Sequence, residues 1–265
     1  MRIECRVDAT GRTFLAKQSF RAPIHLSKPY WDGDHLIINL VNPTAGLFAG
    51  DHIEMNVRVC TGARVVLTAP SAVRVFPARE PGDRASVVQA FLVESGGRLD
   101  VFPEIFIPHA GARYVQATRI DVEPGGELFL LEMIAPGRTA SGEAFAYDTL
   151  EFGMDLSRAG KLAVREYYRL TPRNETVQAI VRDFPTAYFA SAFIVSERGT
   201  DESFQRAVGA LSTSRVIAGA THPTENVYAI KLIAADSMAL RHAVSAIRAL
   251  GYSYLGWPEP LLRKL

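Results

Sequence analysis

The sequence has little cysteine and no long apolar run. Of its 265 residues only Cys5 and Cys60 carry thiols, too few for the disulfide framework of a small secreted protein. The start, Met-Arg-Ile-Glu-Cys-Arg, lacks the apolar centre of a signal peptide. No apolar run reaches the roughly 18 residues that a membrane-spanning helix needs. We therefore expect a cytoplasmic protein with reduced thiols and no membrane partner.

An excess of charge of either sign is also missing. The chain has 29 Lys and Arg against 28 Asp and Glu, a formal net charge of +1. A protein whose main partner is nucleic acid or an anionic membrane carries a strongly basic balance or patch. The near-neutral balance argues against both partners. The apolar fraction of 48% is typical of a globular chain that can bury a sizeable core.

The motifs of common enzymes are absent as well. There is no G-x-S-x-G turn, no Walker A loop, no H-E-x-x-H helix and no pair of C-x-x-C motifs. The histidines are scattered along the chain, without the close spacing of a dedicated zinc or nickel site, at positions 25, 35, 52, 109, 222 and 242. We expect no catalytic residue and no tightly bound cofactor.

A repeating β unit is what the sequence does contain. From Ile53 onward a strand, a short glycine turn and a second strand recur, and the second strands open on Arg64, Arg98, Glu127 and Lys161, at intervals of 34, 29 and 34 residues. Units this short cannot bury an apolar face alone, so they should cover one another. The pattern predicts a mainly β, layered or helically wound stack of β-hairpins. An irregular sandwich of hairpins is the alternative.

Beyond residue 170 the pattern changes to mixed strands and helices. The predicted elements are strands at 188–195 and 226–233 and two C-terminal α-helices at 201–211 and 237–250. Gly251 follows the second helix and is predicted to stop it. We expect a single domain over 1–265, with a β-repeat part at 1–170 and a mixed part at 171–265.

The C-terminal tail is apolar and aromatic for a chain end. It carries Tyr254, Trp257 and Leu261. Such residues are typical of protein interfaces. Unless the tail packs back on the domain, it is predicted to bind a partner.

Acidic residues recur where the repeat strands end. Glu132 and Glu166 occupy the same position in their units, and Glu104 falls one position later. If the units stack at the strand spacing of about 4.8 Å, these carboxylates form a chain of weak oxygen sites for a divalent cation. His109 either joins this chain or caps a turn. The alternative for each carboxylate is a solvated strand end paired with a nearby arginine.

Two glycine-containing loops add further candidates. In the first, Asn42 ends a strand, Gly46 and Gly50 allow positive φ, and Asp51 is either a cation ligand or a cap of a backbone N–H. The second is predicted to be a structural clasp in which two charged residues flank a turn of small residues, with Gly137, Arg138 and Glu143 as its members.

These motifs together resemble a known family. In order along the chain they are Ser27-Lys28-Pro29-Tyr30-Trp31, the Asn42–Asp51 loop, Thr68-x-x-Ser71-x-x-Arg74-Val75 and Gly137-Arg138-x-x-x-Gly142-Glu143. The set is similar to that of the UreD (UreH) family of urease accessory proteins. Several separately placed motifs in the right order are a more specific signal than any one of them.

The resemblance implies a non-enzymatic scaffold with a mostly β fold and two C-terminal helices. It implies binding to apo-urease and to a UreF-type partner, which recruits the nickel-carrying GTPase UreG. It also implies an internal channel that conducts Ni²⁺ transiently, along which we expect Asp51, Glu104, Glu132, Glu143 and Glu166. Two other classes stay open. One is a β-helical carbohydrate-active enzyme with a carboxylate pair in an open cleft, and the other is a metal-free β-rich interaction module.

Overall fold

A computed structural model describes residues 1–198 and 201–262. The first ten strands are β1 (Arg2–Val7), β2 (Thr13–Ser19), β3 (His25–Leu26), β4 (Tyr30–Asp32), β5 (His35–Val41), β6 (His52–Val59), β7 (Arg64–Thr68), β8 (Val73–Val75), β9 (Ala85–Val93) and β10 (Arg98–Phe102). The later strands are β11 (Phe106–Pro108), β12 (Arg113–Val122), β13 (Glu127–Ile134), β14 (Gly137–Arg138), β15 (Glu143–Ala144), β16 (Thr149–Arg158), β17 (Lys161–Leu170), β18 (Tyr188–Val195), β19 (Val216–Thr224) and β20 (Val227–Ala234). The helices are α1 (Glu175–Asp183), α2 (Glu202–Gly209) and α3 (Ser237–Leu255).

Two large sheets carry the fold. The first has the order β17-β16-β12-β9-β6-β1-β2, and the second has the order β19-β20-β18-β13-β10-β7-β5-β3. Within the first, β6, β9, β12 and β16 run parallel, and within the second, β5, β7, β10 and β13 run parallel. Because successive strands of the chain alternate between the sheets, the chain winds as a β-helix. The predicted mainly β, helically wound fold is confirmed.

The strands of one repeat unit differ from the prediction in their pairing. They were expected to form hairpins, but β6 and β7, like β9 and β10, lie in opposite sheets. Each strand instead pairs with the equivalent strand of the next unit, and the glycine turn is where the chain crosses between sheets. The turns stack on one another, since Gly96 N donates to Gly125 O at 3.0 Å.

The predicted repeat register holds for three of the four units. Arg98 lies opposite Arg64 on one side and Glu127 on the other. The fourth strand, which opens on Lys161, does not continue this ladder. It pairs antiparallel with β16 in the first sheet, because Ala159 and Gly160 form a true hairpin turn with φ of 50° and 73°.

The predicted C-terminal helices are present, but α2 is slightly shorter than predicted and α3 is longer. The helix expected to stop at Gly251 continues to Leu255 and ends at Gly256, which has a φ of 62°. Gly251 has a packing role instead, since a Cβ there would lie 2.8 Å from Cε1 of Phe129. A third helix, α1, begins after the N-cap Asn174 and was not predicted.

The two largest apolar clusters of the core form layers that share the second sheet. One lies between the sheets and includes Val57, Phe91 and Leu99. The other lies between the second sheet and the helices and includes Phe129 and Tyr252. The whole of β10 is buried because its two faces meet these two layers. Within the described ranges, none of the helices is long and apolar enough to cross a membrane.

Candidate functional site

A cavity of about 330 Å³ lies between the two sheets. We call it the inter-sheet cavity. Its walls are mostly apolar, with contributions from β6, β9 and β12 of the first sheet and β10 and β13 of the second. Polar side chains also face it, notably those of Gln89, Glu104, Gln116 and Glu132.

A hydrogen-bonded chain of polar side chains runs across this apolar space. The Nε2 of Gln89 donates to Oγ1 of Thr118 at 2.8 Å. The Nε2 of Gln116 donates to the same hydroxyl at 3.3 Å and to Oε1 of Glu132 at 2.6 Å, while the Tyr114 hydroxyl donates to Oε1 of Gln116 at 2.8 Å. The chain thus joins β9 and β12 of the first sheet to β13 of the second. Such a network rigidifies a core only when its members are all satisfied.

Glu132 ends this chain in an environment that disfavours its charge. Burial raises the pKa of its carboxyl, and the nearby Glu166 raises it further. The hydrogen bond from Gln116 and the positive charge of Lys231 act in the opposite direction. A carboxylate placed in this way gains from a nearby cation or from a proton.

Glu132 also lines a second space, which we call the edge pocket. This pocket has a volume of about 240 Å³ and includes Glu166 and Lys231. The Nζ of Lys231 donates to the Glu166 carboxylate and, at 2.9 Å, to Oγ of Ser191. Glu132 and Glu166 are therefore close, as the sequence suggested, but they approach from opposite sheets, and a lysine ties Glu166 in place.

A third space opens on the surface on the other side of the inter-sheet cavity. We call it the α3 groove, because it lies between α3, β11 and the loop at 137–141, and its volume is about 770 Å³. It shares four lining residues with the inter-sheet cavity, namely Arg74, Pro103, Glu104 and Met133. The inter-sheet cavity therefore adjoins both the α3 groove and the edge pocket, and it shares Glu132 and Ile134 with the edge pocket.

Two of the five expected channel residues lie outside these three spaces. The Oδ2 of Asp51 accepts from Phe48 N at 2.8 Å, so Asp51 caps its own turn. Glu143 accepts from Nε of Arg138 at 2.8 Å and from Ala110 N at 3.2 Å. The Arg138 guanidinium lowers the pKa of the Glu143 carboxyl to about 2. These are the turn cap and the clasp that the sequence analysis gave as alternatives.

The predicted loop glycines allow close backbone contacts. Gly46 has a φ of 155°, and a Cβ there would lie 2.5 Å from Arg74 O. Gly137 has a φ of 142° and would bring a Cβ against Glu143 O. Gly50 has a φ of 91° but faces open space. In the same loop the Oδ1 of Asn42 accepts from Thr44 N at 3.0 Å.

His109 faces the α3 groove without joining any metal cluster. The residue is 7% exposed, its ring packs at a tilt against Phe76 with centroids 4.5 Å apart, and its Nε2 has no hydrogen-bond partner. Burial, aided by the charge of Arg138, lowers its pKa. Over residues 1–198 and 201–262, no three His, Cys, Asp or Glu side chains are arranged to hold a metal ion.

The C-terminal tail packs back on the protein. Trp257 is buried under Arg98, whose Cζ lies 3.7 Å from the ring centroid. Tyr254 packs against Phe204 with ring centroids 5.0 Å apart. Only Leu261, at 67% exposed, is free to meet a partner among the three tail residues that the sequence analysis selected.

Sequence reasoning missed Gln89, Gln116, Thr118 and Lys231. A usable signal was present for the first three. In β9 the side chain of Phe91 faces the core, and in β12 that of Ile120 does. Side chains two or four residues away on the same strand face the same way, and these positions are those of Gln89, Thr118 and Gln116. A polar side chain on the apolar side of an alternating strand marks a buried polar group that needs partners.

Comparison with known proteins identifies the family of the chain. The profile of the UreD urease accessory protein family matches residues 1–264. Urease accessory protein UreD of Opitutus terrae is 39% identical over 247 residues, covering 91% of this chain and 89% of that protein. Urease accessory protein UreD of Deinococcus radiodurans is 31% identical over 241 residues, covering 90% of this chain and 84% of that protein. The chain therefore belongs to the UreD family of urease accessory proteins, which has its role in urease maturation.

Proposed function

We propose that this protein is a non-enzymatic scaffold that binds apo-urease and the UreF-type and UreG-type accessory proteins and helps to deliver Ni²⁺ to the urease active site. Ni²⁺ is its cargo and is held transiently. The proposed route enters at Glu104, passes Glu132 in the inter-sheet cavity and leaves by Glu166 at the edge pocket. Asp51 and Glu143 support the surrounding loops and do not contact the cargo.

The observation that supports this proposal is the row of hydrogen-bonded polar side chains in the mostly apolar inter-sheet cavity. Placing the half-buried side chains of Gln116 and Glu132 between two sheets costs free energy that apolar side chains of similar volume avoid. A contribution to stability therefore does not explain why these polar side chains are present. A carboxylate and amide oxygens spaced through an internal cavity do provide successive ligands for a divalent cation.

Weak binding suits such a route. An ion moves through a series of sites only if each site is favourable enough to enter and weak enough to leave. Glu132 offers one carboxylate beside amide and hydroxyl groups, which is far from the closed four-ligand set of a storage site. A cation beside Glu132 also offsets the cost of its buried charge.

The test is Glu132→Gln in cells that carry urease and its full accessory set. We expect urease activity to fall by about 10-fold, the lower end of the usual effect of removing a group that supports a metal site, while the accessory complex still co-purifies. The matched control is Glu151→Gln, because Glu151 pairs with Arg169 on the outer face of β16. The control should retain full activity.

Stability should change in the opposite direction from activity. The raised pKa of Glu132 means that its charged form costs free energy at neutral pH, a cost that disappears once the carboxyl is protonated. Glu132→Gln should therefore raise the melting temperature by about 1–3 °C at pH 7. The gain should shrink as the pH falls through the folded-state pKa of Glu132 and approaches 4.5, the ordinary pKa of a glutamate.

Other outcomes favour the alternatives. Full urease activity in Glu132→Gln would leave a metal-free interaction module. Unchanged urease activity after deletion of the whole protein would remove the scaffold role itself. Turnover of a sugar polymer, lost in Glu132→Gln, would support the carbohydrate-active class.

A further inference from the structure

The α3 groove combines an apolar floor with a polar rim. Ile105 and Ile107 line it from the sheet side, and Leu240 and Val244 line it from α3. Its volume of about 770 Å³ has room for several side chains of a partner. Apolar surface of this kind, rimmed by polar residues, marks an interaction site.

Two arginines on the rim lack a close ion pair with any described carboxylate. Arg241 is 56% exposed and lies 4.0 Å from its nearest carboxylate oxygen, Oε2 of Glu104. Arg74 is exposed, and no carboxylate of the described ranges forms an ion pair with it. The other two arginines of the groove are held closely, Arg138 by Glu143 and Arg248 by Glu259 at 3.2 Å.

His109 adds an unmet hydrogen-bonding atom on the same side. Its imidazole is almost fully buried, and its Nε2 has no partner. Burial, aided by the positive charges of Arg138 and Arg74, favours the neutral form of the ring, whose Nε2 donates or accepts one hydrogen bond according to the tautomer. Buried polar atoms without a partner are rare in folded proteins. A ligand in the groove can therefore satisfy this nitrogen with a polar group of its own.

The α3 groove lies next to the inter-sheet cavity, so a molecule bound in the groove also covers that side of the cavity. Arg74, Pro103, Glu104 and Met133 line both the groove and the inter-sheet cavity, so anything seated in the groove covers this mouth of the route. At the edge pocket, the ion pair between Lys231 and Glu166 links the two sheets. The groove mouth is thus the one that a cargo-bearing partner can use without breaking an ion pair between the sheets.

We infer that the α3 groove is the docking surface for an acidic amphipathic segment of an accessory partner. The carboxylates of that segment meet Arg74 and Arg241, a polar group of it meets Nε2 of His109, and its apolar side chains cover Ile105 and Val244. This inference rests on the proposed function. A free inorganic anion would use the arginines but leave the apolar floor exposed, so a protein segment fits the groove better.

The first test reverses the charge of the rim. Arg74→Glu combined with Arg241→Glu should reduce co-purification of the co-expressed accessory proteins by about 10-fold or more, because it places like charges face to face. Urease activity should fall with it. Arg206→Glu is the control, since Arg206 is an exposed arginine on α2 that pairs with Glu202 outside the groove. That variant should co-purify at the wild-type level.

The second test identifies the occupant directly. A photo-reactive benzophenone residue at position 245 lies in the groove, and one at position 242 lies on another face of α3. In the co-expressed complex, crosslinks from 245 should map to a peptide of an accessory protein that contains Asp or Glu beside apolar residues. Position 242 should give no such crosslink.

The outcomes separate this inference from the proposed function. Crosslinks from 245 to urease alone or to a basic peptide would overturn the docking assignment, as would wild-type co-purification of the double charge reversal. If the groove variants retain urease activity but deletion of the protein abolishes it, the scaffold role stands and the groove does not. If deletion has no effect, both fail.

Discussion

At the scale of single residues, the same side-chain type has two opposite environments in this protein. The Arg138 guanidinium lowers the pKa of the Glu143 carboxyl to about 2, whereas burial raises the pKa of the Glu132 carboxyl. Both residues were candidates for the same ion path because position in sequence does not distinguish them. The arginine five residues before Glu143 was visible in the sequence and correctly indicated a clasp. Glu132 lies in an apolar strand at the inward-facing parity of Leu128 and Leu130, a signal of burial that the sequence analysis did not use.

The clasp makes a prediction about pH. A carboxylate whose pKa is lowered on folding stabilises the protein above its unfolded pKa, and this contribution is lost as the pH falls through the folded pKa. Glu143→Gln should therefore lower the melting temperature at pH 7. The difference from wild type should shrink between pH 4.5 and about 2.

Thermal melts of both proteins across this pH range measure the effect. Glu225→Gln is the control, because Glu225 is exposed in the turn between β19 and β20. A difference between wild type and Glu143→Gln that stays constant with pH would show that the clasp does not depend on the charge of Glu143.

At the scale of elements, the glycines within and just after α3 have different structural roles. A glycine after a run of helical periodicity predicts a helix stop, and Gly256 has this role. Gly251 sits inside the helix, where its missing Cβ lets α3 approach Phe129 and Ile194 of the second sheet. The two cases look alike in sequence because the contact that distinguishes them is made by distant strands.

Gly251→Ala should destabilise the protein even though alanine is the better helix former. The new Cβ would lie 2.8 Å from Cε1 of Phe129 and 3.3 Å from Cδ1 of Ile194. Overpacking typically costs about 1–3 kcal/mol, against a helix-propensity gain of about 1 kcal/mol. Urea unfolding should show a net loss of free energy of unfolding.

The matched control is Gly209→Ala at the end of α2. A Cβ at Gly209 meets no atom within 4 Å. This variant should be neutral or more stable by up to about 1 kcal/mol. If both glycine variants are equally stable, then the approach of α3 to the sheet is looser than the structure indicates.

At the scale of the whole molecule, the route through the protein depends on open space between the sheets. Val87 lines the inter-sheet cavity, while its neighbour Val88 lies on the outer face of the same strand and is 45% exposed. Val87→Phe should fill part of the cavity and lower urease activity by about 10-fold with assembly intact. Val88→Phe adds the same atoms on the opposite face and should have no effect.

Urease activity and co-purification in the same cells measure this pair. The melting temperature of Val87→Phe should stay within about 3 °C of wild type, because the cavity accepts the added volume with little strain. Equal, full activity in both variants would argue against passage of the cargo between the sheets.

The sequence by itself determined the repeating strands, the glycine turns between them and the family. Inward and outward alternation is a local property of a strand, and the sequence of β6 alternates in this way, with Met55, Val57 and Val59 on its buried face. The glycine turns and opening charges set the unit length, and Arg64, Arg98 and Glu127 do align across the second sheet. Ordered motifs along the chain identified the UreD family without any knowledge of contacts.

Only the tertiary structure decided how those strands pair and what they enclose. A strand, a glycine turn and a strand look the same in sequence whether the chain folds back as a hairpin or crosses to another sheet, because the deciding partner is the next unit. The same non-local winding brings Gln116 to Glu132, and Glu132 to Glu166 from the opposite sheet. It also buries Trp257 against Arg98. Contacts between residues far apart in the chain carry no signature in a single sequence.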